Sequence, residues 1–220
     1  MKNKVLLIKC TTALIGIFLI GAGVAFNAMA QLGNDPVGIF YDGVRNTLGL
    51  TAEQLGIASY LVNGALAVLL LFIGRSFLNL GTLIYIIPYG TFVKVGGIIY
   101  QQLFPHPDLL GRIVAVVIGC LGIFIGVAIF IAMSVGVDPM TGVTLVIGKK
   151  LNWEYRKAKI LFDISLVIIG VLLGGKLGVV TVVVASIGGP VVQLIAERIE
   201  QFYQKKIFCR FKEENEEIAG

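Results

Sequence analysis

The sequence predicts an all-α protein, a polytopic transmembrane helix bundle of about six spans built from two inverted three-helix repeats. Composition, long uncharged runs and internal self-similarity predict this fold class. Of the 220 residues, 57% are hydrophobic and only 14% are charged, and the mean hydropathy is +0.92. A soluble domain carries about 25% charged residues. A core of this size cannot hide so much apolar surface from water, so we expect lipid to cover part of it.

Apolar runs long enough to cross a bilayer recur along the whole chain. A helix rises about 1.5 Å per residue, so roughly 20 apolar residues span the hydrocarbon core. The runs cover residues 10–34, 55–74, 78–103, 113–137, 158–175 and 177–196. Lys94 interrupts the third run and Asp163 lies in the fifth. The second and third runs, like the fifth and sixth, are joined by very short links and predict helical hairpins.

The first run also resembles a secretory signal peptide. Lys2 and Lys4 precede the apolar stretch, and Ala28-Met29-Ala30 has the form of a cleavage site. The run is longer than the apolar region of a signal peptide, and a similar segment recurs later in the chain. We therefore expect a retained first span.

The distribution of lysine and arginine predicts the orientation. With the N-terminus in the cytoplasm, the external segments carry only Arg45, Arg112 and Lys176 among the 18 basic residues. Nearly all the others fall on the cytoplasmic side, as the positive-inside rule requires. We expect a multi-pass membrane protein, with the lipid bilayer as its main partner and both termini cytoplasmic.

The chain divides into two repeats and a tail. The predicted units are residues 1–104, residues 109–200, and a charged cytoplasmic tail over residues 201–220. Apolar residues among basic ones continue to about residue 211. This pattern fits an amphipathic segment on the inner membrane surface and fits a solvated polar tail equally well.

The two repeats are recognised by a shared motif about 100 residues apart. Residues 33–36 read Gly-Asn-Asp-Pro, and residues 136–139 read Gly-Val-Asp-Pro. Asn63 in the second span aligns with Asp163 in the fifth. Each repeat holds three spans, an odd number, so the second repeat enters the membrane upside down. Inverted repeats that enclose a site near the midplane are a recurring plan of secondary transporters.

Each Asp-Pro motif predicts the start of a short helix. Asp is a preferred N-cap, and Pro is favoured at the first helical position. The predicted helices begin at Pro36 and Pro139 and run to about residues 48 and 150. They are either re-entrant half-helices whose N-termini face a cavity or interfacial helices at the membrane surface.

Ionisable residues within the spans are candidates for a solute or ion pathway. Lys94 and Asp163 form a buried pair, belong to a proton or ion pathway, or snorkel to the interfaces. The pathway candidates are Asp35, Asn63, Lys94, Asp138 and Asp163.

Proline and glycine predict where the helices bend. Pro88 interrupts the third span, and Pro190 interrupts the sixth at a similar place. Bends at matching places in two repeats are where a site between the repeats is expected. The helix-break or hinge candidates are Pro36, Pro88, Gly90, Pro139, Gly189 and Pro190.

The sequence contains no set of residues typical of a catalytic or metal site. Cys10, Cys120 and Cys209 are widely spaced without a CxxC pair, and His106 is the only histidine. We expect no catalytic residues, metal, cofactor or nucleic-acid partner, and we do not expect an enzyme.

These motifs resemble the YczE/YyaS/YitT-like family of bacterial integral membrane proteins. The paired Asp-Pro motifs, Asn63 or Asp163 in the following span, and the Gly-rich turn before Thr181 and Gly189-Pro190 carry the resemblance. It extends to about residue 200. It implies about six spans and a bacterial plasma-membrane location, but little biochemistry.

The leading hypothesis is a small secondary transporter or permease-like protein of unknown substrate, acting alone or as a homodimer. One alternative is the substrate-capture subunit of a multi-component vitamin importer. The other is a non-transporting accessory protein that docks a cytoplasmic partner through basic residues 149–159 and the tail.

Overall fold

The computed structural model describes the backbone of residues 2–219 and the side-chain environment of residues 5–202. The predicted amphipathic face beyond residue 202 lies outside these described side chains. The α-helices are α1 (Lys2–Ala30), α2 (Pro36–Thr47), α3 (Leu55–Ile73), α4 (Leu80–Leu103), α5 (Leu109–Met133), α6 (Pro139–Leu151), α7 (Tyr155–Leu172) and α8 (Val179–Ala219). Short 3₁₀ turns over Ala52–Gln54 and Arg75–Phe77 lead into and out of α3.

Five helices, α1, α3, α4, α5 and α8, are long and apolar enough to cross a membrane. They match five of the predicted spans. The predicted fifth span is a helix, α7, but it is not among these five. Its 18 residues include the charged side chains of Arg156, Lys157, Lys159 and Asp163. The all-helical class is confirmed, and the count of apolar spanning helices in the described chain is five rather than six.

The two short helices begin where the Asp-Pro motifs predict. Asp35 caps α2, and its carboxylate accepts hydrogen bonds from the backbone N–H groups of Val37 at 3.2 Å and Gly38 at 3.3 Å. Asp138 caps α6 and accepts from the Thr141 N–H at 3.0 Å. Each carboxylate satisfies N–H groups that have no partner within the helix, so the local sequence determines both helix starts.

Glycines bring α1 and α5 into backbone contact at two crossings. A Cβ on Gly16 would lie 2.7 Å from the Gly126 carbonyl oxygen, and a Cβ on Gly126 would lie 2.5 Å from the Gly16 oxygen. Gly23 and Gly119 make the second reciprocal contact. The lower-numbered glycine of α1 meets the higher-numbered glycine of α5, so the two helices run antiparallel. Close approach of this kind is typical of small residues in membrane helices.

Each motif loop packs against the other half of the chain. Gly33, at φ +105°, lies against Gly178 just before α8, and Gly136, at φ +148°, lies against Gly81 at the start of α4. Both glycines adopt backbone conformations that disfavour a side chain. Both are also packed too closely against a neighbouring backbone to carry one.

The short helices also pack across the two halves. Gly43 of α2 touches the backbone of Gly170 on α7. In the other half, a Cβ on Gly142 of α6 would lie 2.7 Å from the Leu70 side chain of α3. A glycine of the short helix therefore makes a close contact with the opposite half in each case.

A tyrosine from α3 reaches into the backbone of α4 near Pro88. The Tyr60 hydroxyl donates to the Ile87 carbonyl at 2.8 Å and accepts from the Thr91 N–H at 3.1 Å. Proline supplies no N–H, and a side chain inserted between helical turns is a recognised cause of kinks. The predicted hinge at Gly189 and Pro190 differs, because both residues are exposed on α8.

Loss of this hydroxyl should destabilise the bundle. We expect Tyr60→Phe to lower the free energy of unfolding by about 1 kcal/mol, because the Ile87 carbonyl and Thr91 N–H lose a shared partner. Scanning fluorimetry in detergent measures the change. Tyr100→Phe is the matched control, since its buried hydroxyl has no partner among the described residues. An equal fall in both variants would contradict the assigned role of Tyr60.

Candidate functional site

Three tyrosines from two helices form a buried cluster near the short helices. Tyr41 on α2 is fully buried, and Tyr85 and Tyr89 on α4 are 7% and 1% exposed. The Tyr85 and Tyr89 rings stack with centroids 4.8 Å apart, and Tyr41 lies 5.9 Å from Tyr89. Tyr85 and Tyr89 are four residues apart, so they face the same side of α4. Hydroxyl groups are thereby placed inside an otherwise apolar bundle.

Asn63 connects this cluster to α3. Its amide nitrogen donates to the Tyr41 hydroxyl at 2.8 Å and to the Ser59 carbonyl at 2.9 Å. The Ser59 carbonyl can only accept, which fixes the orientation of the amide. The side chain is 1% exposed, and its Oδ1 has no hydrogen-bond partner among the described residues. A buried acceptor left unpaired costs about 1–3 kcal/mol, so Oδ1 is a place where the donor group of a ligand or water fits.

Both helix-capping carboxylates act on the same tyrosine. Burial raises the pKa of the Tyr41 phenol well above its ordinary value, and the nearby Tyr89 raises it further. The hydrogen bond from Asn63 lowers the pKa, whereas the negative charges of Asp138 and Asp35 raise it. The charges that cap α2 and α6 therefore both act on one tyrosine, although about 100 residues separate them in sequence.

The charges of Lys159 and Asp163 on α7 also change the pKa of Asp35. Burial raises the pKa of its carboxyl from 3.8 to about 6. The positive charge of Lys159 and the hydrogen bonds from Gly38 and Val37 lower the pKa, while the negative charge of Asp163 raises it. The loop between α1 and α2 thus holds a carboxyl that changes charge near neutral pH.

The raised pKa predicts a pH-dependent stability. The folded protein binds the Asp35 proton more tightly than the unfolded chain. The resulting stabilisation is present below about pH 3.8 and is lost as the pH rises through about 6. Asp35→Asn keeps a capping side chain but removes the titration. We expect its melting temperature, relative to that of the unsubstituted protein, to rise between about pH 5 and about pH 7. A difference that is constant across this range would contradict the shifted pKa.

Asp163 is paired within its own helix. Its carboxylate bonds the Lys159 ammonium one turn earlier on α7, and their side chains are 26% and 37% exposed. The sequence had left open a pair between Lys94 and Asp163. In the structure, Lys94 is exposed on α4. Of the pathway candidates, Asn63 contacts Tyr41, the charges of Asp35 and Asp138 raise the pKa of Tyr41, and the charge of Asp163 raises the pKa of Asp35. Lys94 has no such link to the cluster among the described residues.

The hinge candidates fall into different environments. Pro36 and Pro139 are buried at the starts of the short helices. Gly90 packs against α3, where a Cβ would lie 2.5 Å from the Gly56 carbonyl oxygen. Gly189 has no atom within 4 Å of where a Cβ would stand. Close packing around Gly90 therefore has no counterpart at Gly189.

Sequence reasoning missed all three tyrosines of the cluster, Tyr41, Tyr85 and Tyr89. A usable signal existed, because Tyr85 and Tyr89 lie one helical turn apart within an apolar span. Their hydroxyls need partners there, which favours a polar interior. Tyr41 carries no such local signal, since it lies in a short and only moderately apolar helix.

The chain belongs to a family of unknown function, DUF6198, whose pattern matches residues 7–197. It is 29% identical over 181 residues to an uncharacterized protein of Haemophilus influenzae, a match that covers 82% of this chain and 79% of that protein. No solved structure matches the chain. These comparisons carry no substrate or activity.

Proposed function

We propose that this member of the DUF6198 family is a small secondary transporter or permease-like protein of the bacterial plasma membrane, built from two inverted repeats. The observation that carries the proposal is the buried polar cluster beside α2, in which Asn63 Nδ2 donates to the Tyr41 hydroxyl at 2.8 Å and Asn63 Oδ1 has no partner among the described residues. Solute sites within a membrane are often built at the ends of discontinuous helices, where backbone and side-chain groups have no hydrogen-bond partner within the helix. The solute is not specified by this arrangement.

Reciprocal contacts support the inverted repeat. The motif alignment places residues of the two halves 103 positions apart, so Gly16 corresponds to Gly119 and Gly23 to Gly126. Gly16 touches Gly126, and Gly23 touches Gly119. Such exchange is what a two-fold relation produces, because residue i meets j and j meets i. The antiparallel crossing of α1 and α5 fits an axis in the membrane plane.

The direction of the short helices supports re-entrant rather than interfacial placement. The C-terminal end of α2 lies at the turn between α7 and α8, where the Asn46 amide donates to the Gly174 carbonyl at 2.5 Å. The N-terminal end of α2 lies near the tyrosine cluster. The start of α6 lies against the start of α4, where the Thr82 hydroxyl donates to the Val137 carbonyl at 2.8 Å, three residues before Tyr85. We therefore propose that both helices are re-entrant, with their N-termini toward the tyrosine cluster.

α7 serves as the sixth span in this proposal, with both termini in the cytoplasm. Pairing between Lys159 and Asp163 reduces the cost of placing two charges near lipid. Six spans and two repeats also agree with the resemblance to YczE/YyaS/YitT-like proteins, which remains a prediction. Transport would follow from exchange of the conformations of the two halves, with α4 bending where Tyr60 enters its backbone.

An accessory role remains the second candidate, because one loop is strongly basic and exposed. Lys149 and Lys150 end α6, Arg156 and Lys157 open α7, and all four are exposed. Such a loop can dock an acidic cytoplasmic partner. It also suits a membrane surface rich in anionic lipid.

Access to the site from both sides of the membrane tests the proposal without a known solute. Val37 lies in the first turn of α2 beside Asp35 and is partly buried. We expect Val37→Cys, on a background with the native cysteines replaced by serine, to react with an impermeant trimethylammonium thiol reagent in both right-side-out and inside-out vesicles. The control Thr51→Cys, on an exposed loop, should react in one orientation only. Reaction of Val37→Cys from a single side would favour the accessory role.

A further inference from the structure

The last two helices of each half are packed differently in the two halves. α3 packs along α4, whereas the matching helices α7 and α8 are not packed against each other within the described part of the chain. Their other neighbours agree, because α1 contacts α4 as α5 contacts α8, and α6 contacts α3 as α2 contacts α7. The main difference between the halves is therefore whether this one pair of helices is in contact.

Residues of α4 match residues of α8 that lie 99 positions later. At this spacing, buried Thr82 matches buried Thr181, and buried Tyr85 matches buried Val184. Both helices therefore bury the same face, and a comparison of single positions between them is meaningful.

The matched glycines Gly90 and Gly189 lie in opposite environments. A Cβ on Gly90 would lie 2.4 Å from the Tyr60 ring and 2.5 Å from the Gly56 carbonyl oxygen, both on α3. Gly189 is exposed and has no atom within 4 Å of where a Cβ would stand. Glycine within a helix costs about 1 kcal/mol relative to alanine, and no contact of this structure requires a glycine at position 189.

Ile160 on α7 is the match of Tyr60 on α3. Residues of these two helices match at a spacing of 100 positions, as Asn63 matches Asp163. Ile160 is 51% exposed, so it lacks the helix contact that its match makes. The counterparts of a ring and a glycine that pack together are therefore both uncovered on α7 and α8.

The hydrogen bonds that hold α3 on α4 have no equivalent between α7 and α8. The Tyr60 hydroxyl donates to the Ile87 carbonyl at 2.8 Å and accepts from the Thr91 N–H at 3.1 Å. Ile160 has no hydroxyl, and Pro190, the match of Thr91, has no N–H. Closure of α7 on α8 at this place would be apolar, which favours the state in which α3 and α4 are the closed pair.

We propose that the structure is the cytoplasm-facing state of the transporter, and that in the opposite state α3 and α4 separate while Ile160 closes over Gly189. In the proposed topology α3 begins outside, so its contact with α4 closes the external side. α7 begins in the cytoplasm, so its separation from α8 opens the cytoplasmic side. This inference rests on the proposed transport function, because alternating access requires the two inverted halves to exchange their conformations.

The proposal accounts for the glycine at position 189. A side chain there is tolerated while α7 and α8 are apart, but it would block the closed pair, as a side chain at Gly90 would block the contact with α3. The two closed contacts are not identical, since Arg156 is the match of Gly56. The α7 backbone therefore stays farther away, and the Ile160 side chain makes the contact.

The test measures the separation of each helix pair with spin labels at exposed, matched positions. Labels at Ile57 and Lys94 report on α3 and α4, and labels at Lys157 and Gln193 report on α7 and α8. The native cysteines are replaced by serine, and double electron–electron resonance is recorded on the full chain in lipid nanodiscs. We expect a main population with α3 close to α4 and α7 far from α8, and a minor population with the reverse.

Two variants should change these populations in opposite directions. Gly189→Leu blocks the approach of Ile160, so we expect it to remove the minor population while the melting temperature is kept. Tyr60→Phe loses the hydrogen bonds that close α3 on α4, so the minor population should rise roughly fivefold. Gly64→Leu, at an open position of α3, and Tyr100→Phe are the matched controls and should change neither distance.

Shortening of the distance between α7 and α8 is the result that a merely structural role of Tyr60 would not produce. If Tyr60→Phe lengthens the distance between α3 and α4 and leaves α7 and α8 apart, the proposal is overturned. A minor population that persists in Gly189→Leu overturns it as well.

Labelling of Val37→Cys in oriented vesicles tests which side is open. With Gly189→Leu added, reaction should persist in inside-out vesicles and fall about tenfold in right-side-out vesicles; the reverse result contradicts the cytoplasm-facing assignment. If the distances exchange while Val37→Cys alone reacts from one side, the helix pairs exchange and the transport proposal fails. If Val37→Cys reacts from both sides while α7 and α8 never approach, transport stands and the proposed closure is wrong.

Discussion

Gly119→Ala should destabilise the protein markedly, although alanine is the better helix former. The added methyl group would meet the Asn27 side chain and lie 2.9 Å from the Gly23 carbonyl oxygen. These atoms belong to α1, so the two central helices must separate. Overpacking of a close contact costs about 1–3 kcal/mol, which exceeds the roughly 1 kcal/mol that alanine gains over glycine within a helix.

The matched control is Gly64→Ala on α3. No atom lies within 4 Å of a Cβ at Gly64. We expect this variant to keep or raise the melting temperature in detergent, while Gly119→Ala lowers it by several degrees. Equal melting temperatures for the two variants would mean that α1 and α5 do not cross at these glycines.

Asp163→Asn should trap the protein in one conformation without loss of membrane insertion. Without the carboxylate of Asp163, the Lys159 ammonium loses its partner one turn away. The positive charge of Lys159 already lowers the pKa of the Asp35 carboxyl, so Asp35 is an alternative partner for the freed ammonium. A new pair between α7 and the cap of α2 would favour one state, and about 1.4 kcal/mol of bias changes the populations tenfold.

Labelling of Val37→Cys in oriented vesicles measures this effect. In the Asp163→Asn background we expect reaction from one side to fall about tenfold, since that side is reached only in the disfavoured state. Adding Lys159→Gln should restore reaction from both sides. Lys94→Gln, on the exposed face of α4, should change nothing. Unchanged labelling in Asp163→Asn would show that the Lys159–Asp163 pair on α7 does not affect the proposed conformational exchange.

Local signals predicted the short helices well. An Asp-Pro pair supplies the capping carboxylate, and its proline already has the backbone angle of a first helical turn. The helix starts at Pro36 and Pro139 could therefore be predicted from the sequence. The end of α2 differs from the prediction by one residue, because helix ends depend on weaker capping preferences. The contact of Tyr41 with Asn63 and Tyr89 could not be predicted from these local signals, since it depends on how α2, α3 and α4 pack together.

The direction of a charged side chain could not be predicted from its position in the sequence. Lys94 lies within an apolar run, which left a buried pair, a place in a pathway and snorkelling open, and in the structure the side chain is exposed. A single charge in a span carries no information about the face of the helix on which it lies. The partner of Asp163 was available in principle, because Lys159 lies four residues earlier and such pairs share a face.

The motif alignment does not predict which matched positions carry polar side chains. The glycine contacts between α1 and α5 follow the alignment, whereas Asn27, which is buried, corresponds to the apolar Phe130. Similar backbones tolerate unlike side chains at matched positions, so the polar residues of one half could not be predicted from the other.

A topology map tests the inverted repeat most directly. Single cysteines are placed at Thr51, Ser76, His106 and Asn152, all exposed in connecting segments. The native cysteines are replaced by serine, and intact cells are treated with an impermeant maleimide. We predict that positions 51 and 106 react from outside, while positions 76 and 152 react only after the membrane is opened. Reaction of positions 51 and 152 from the same side would show that the repeats are not inverted.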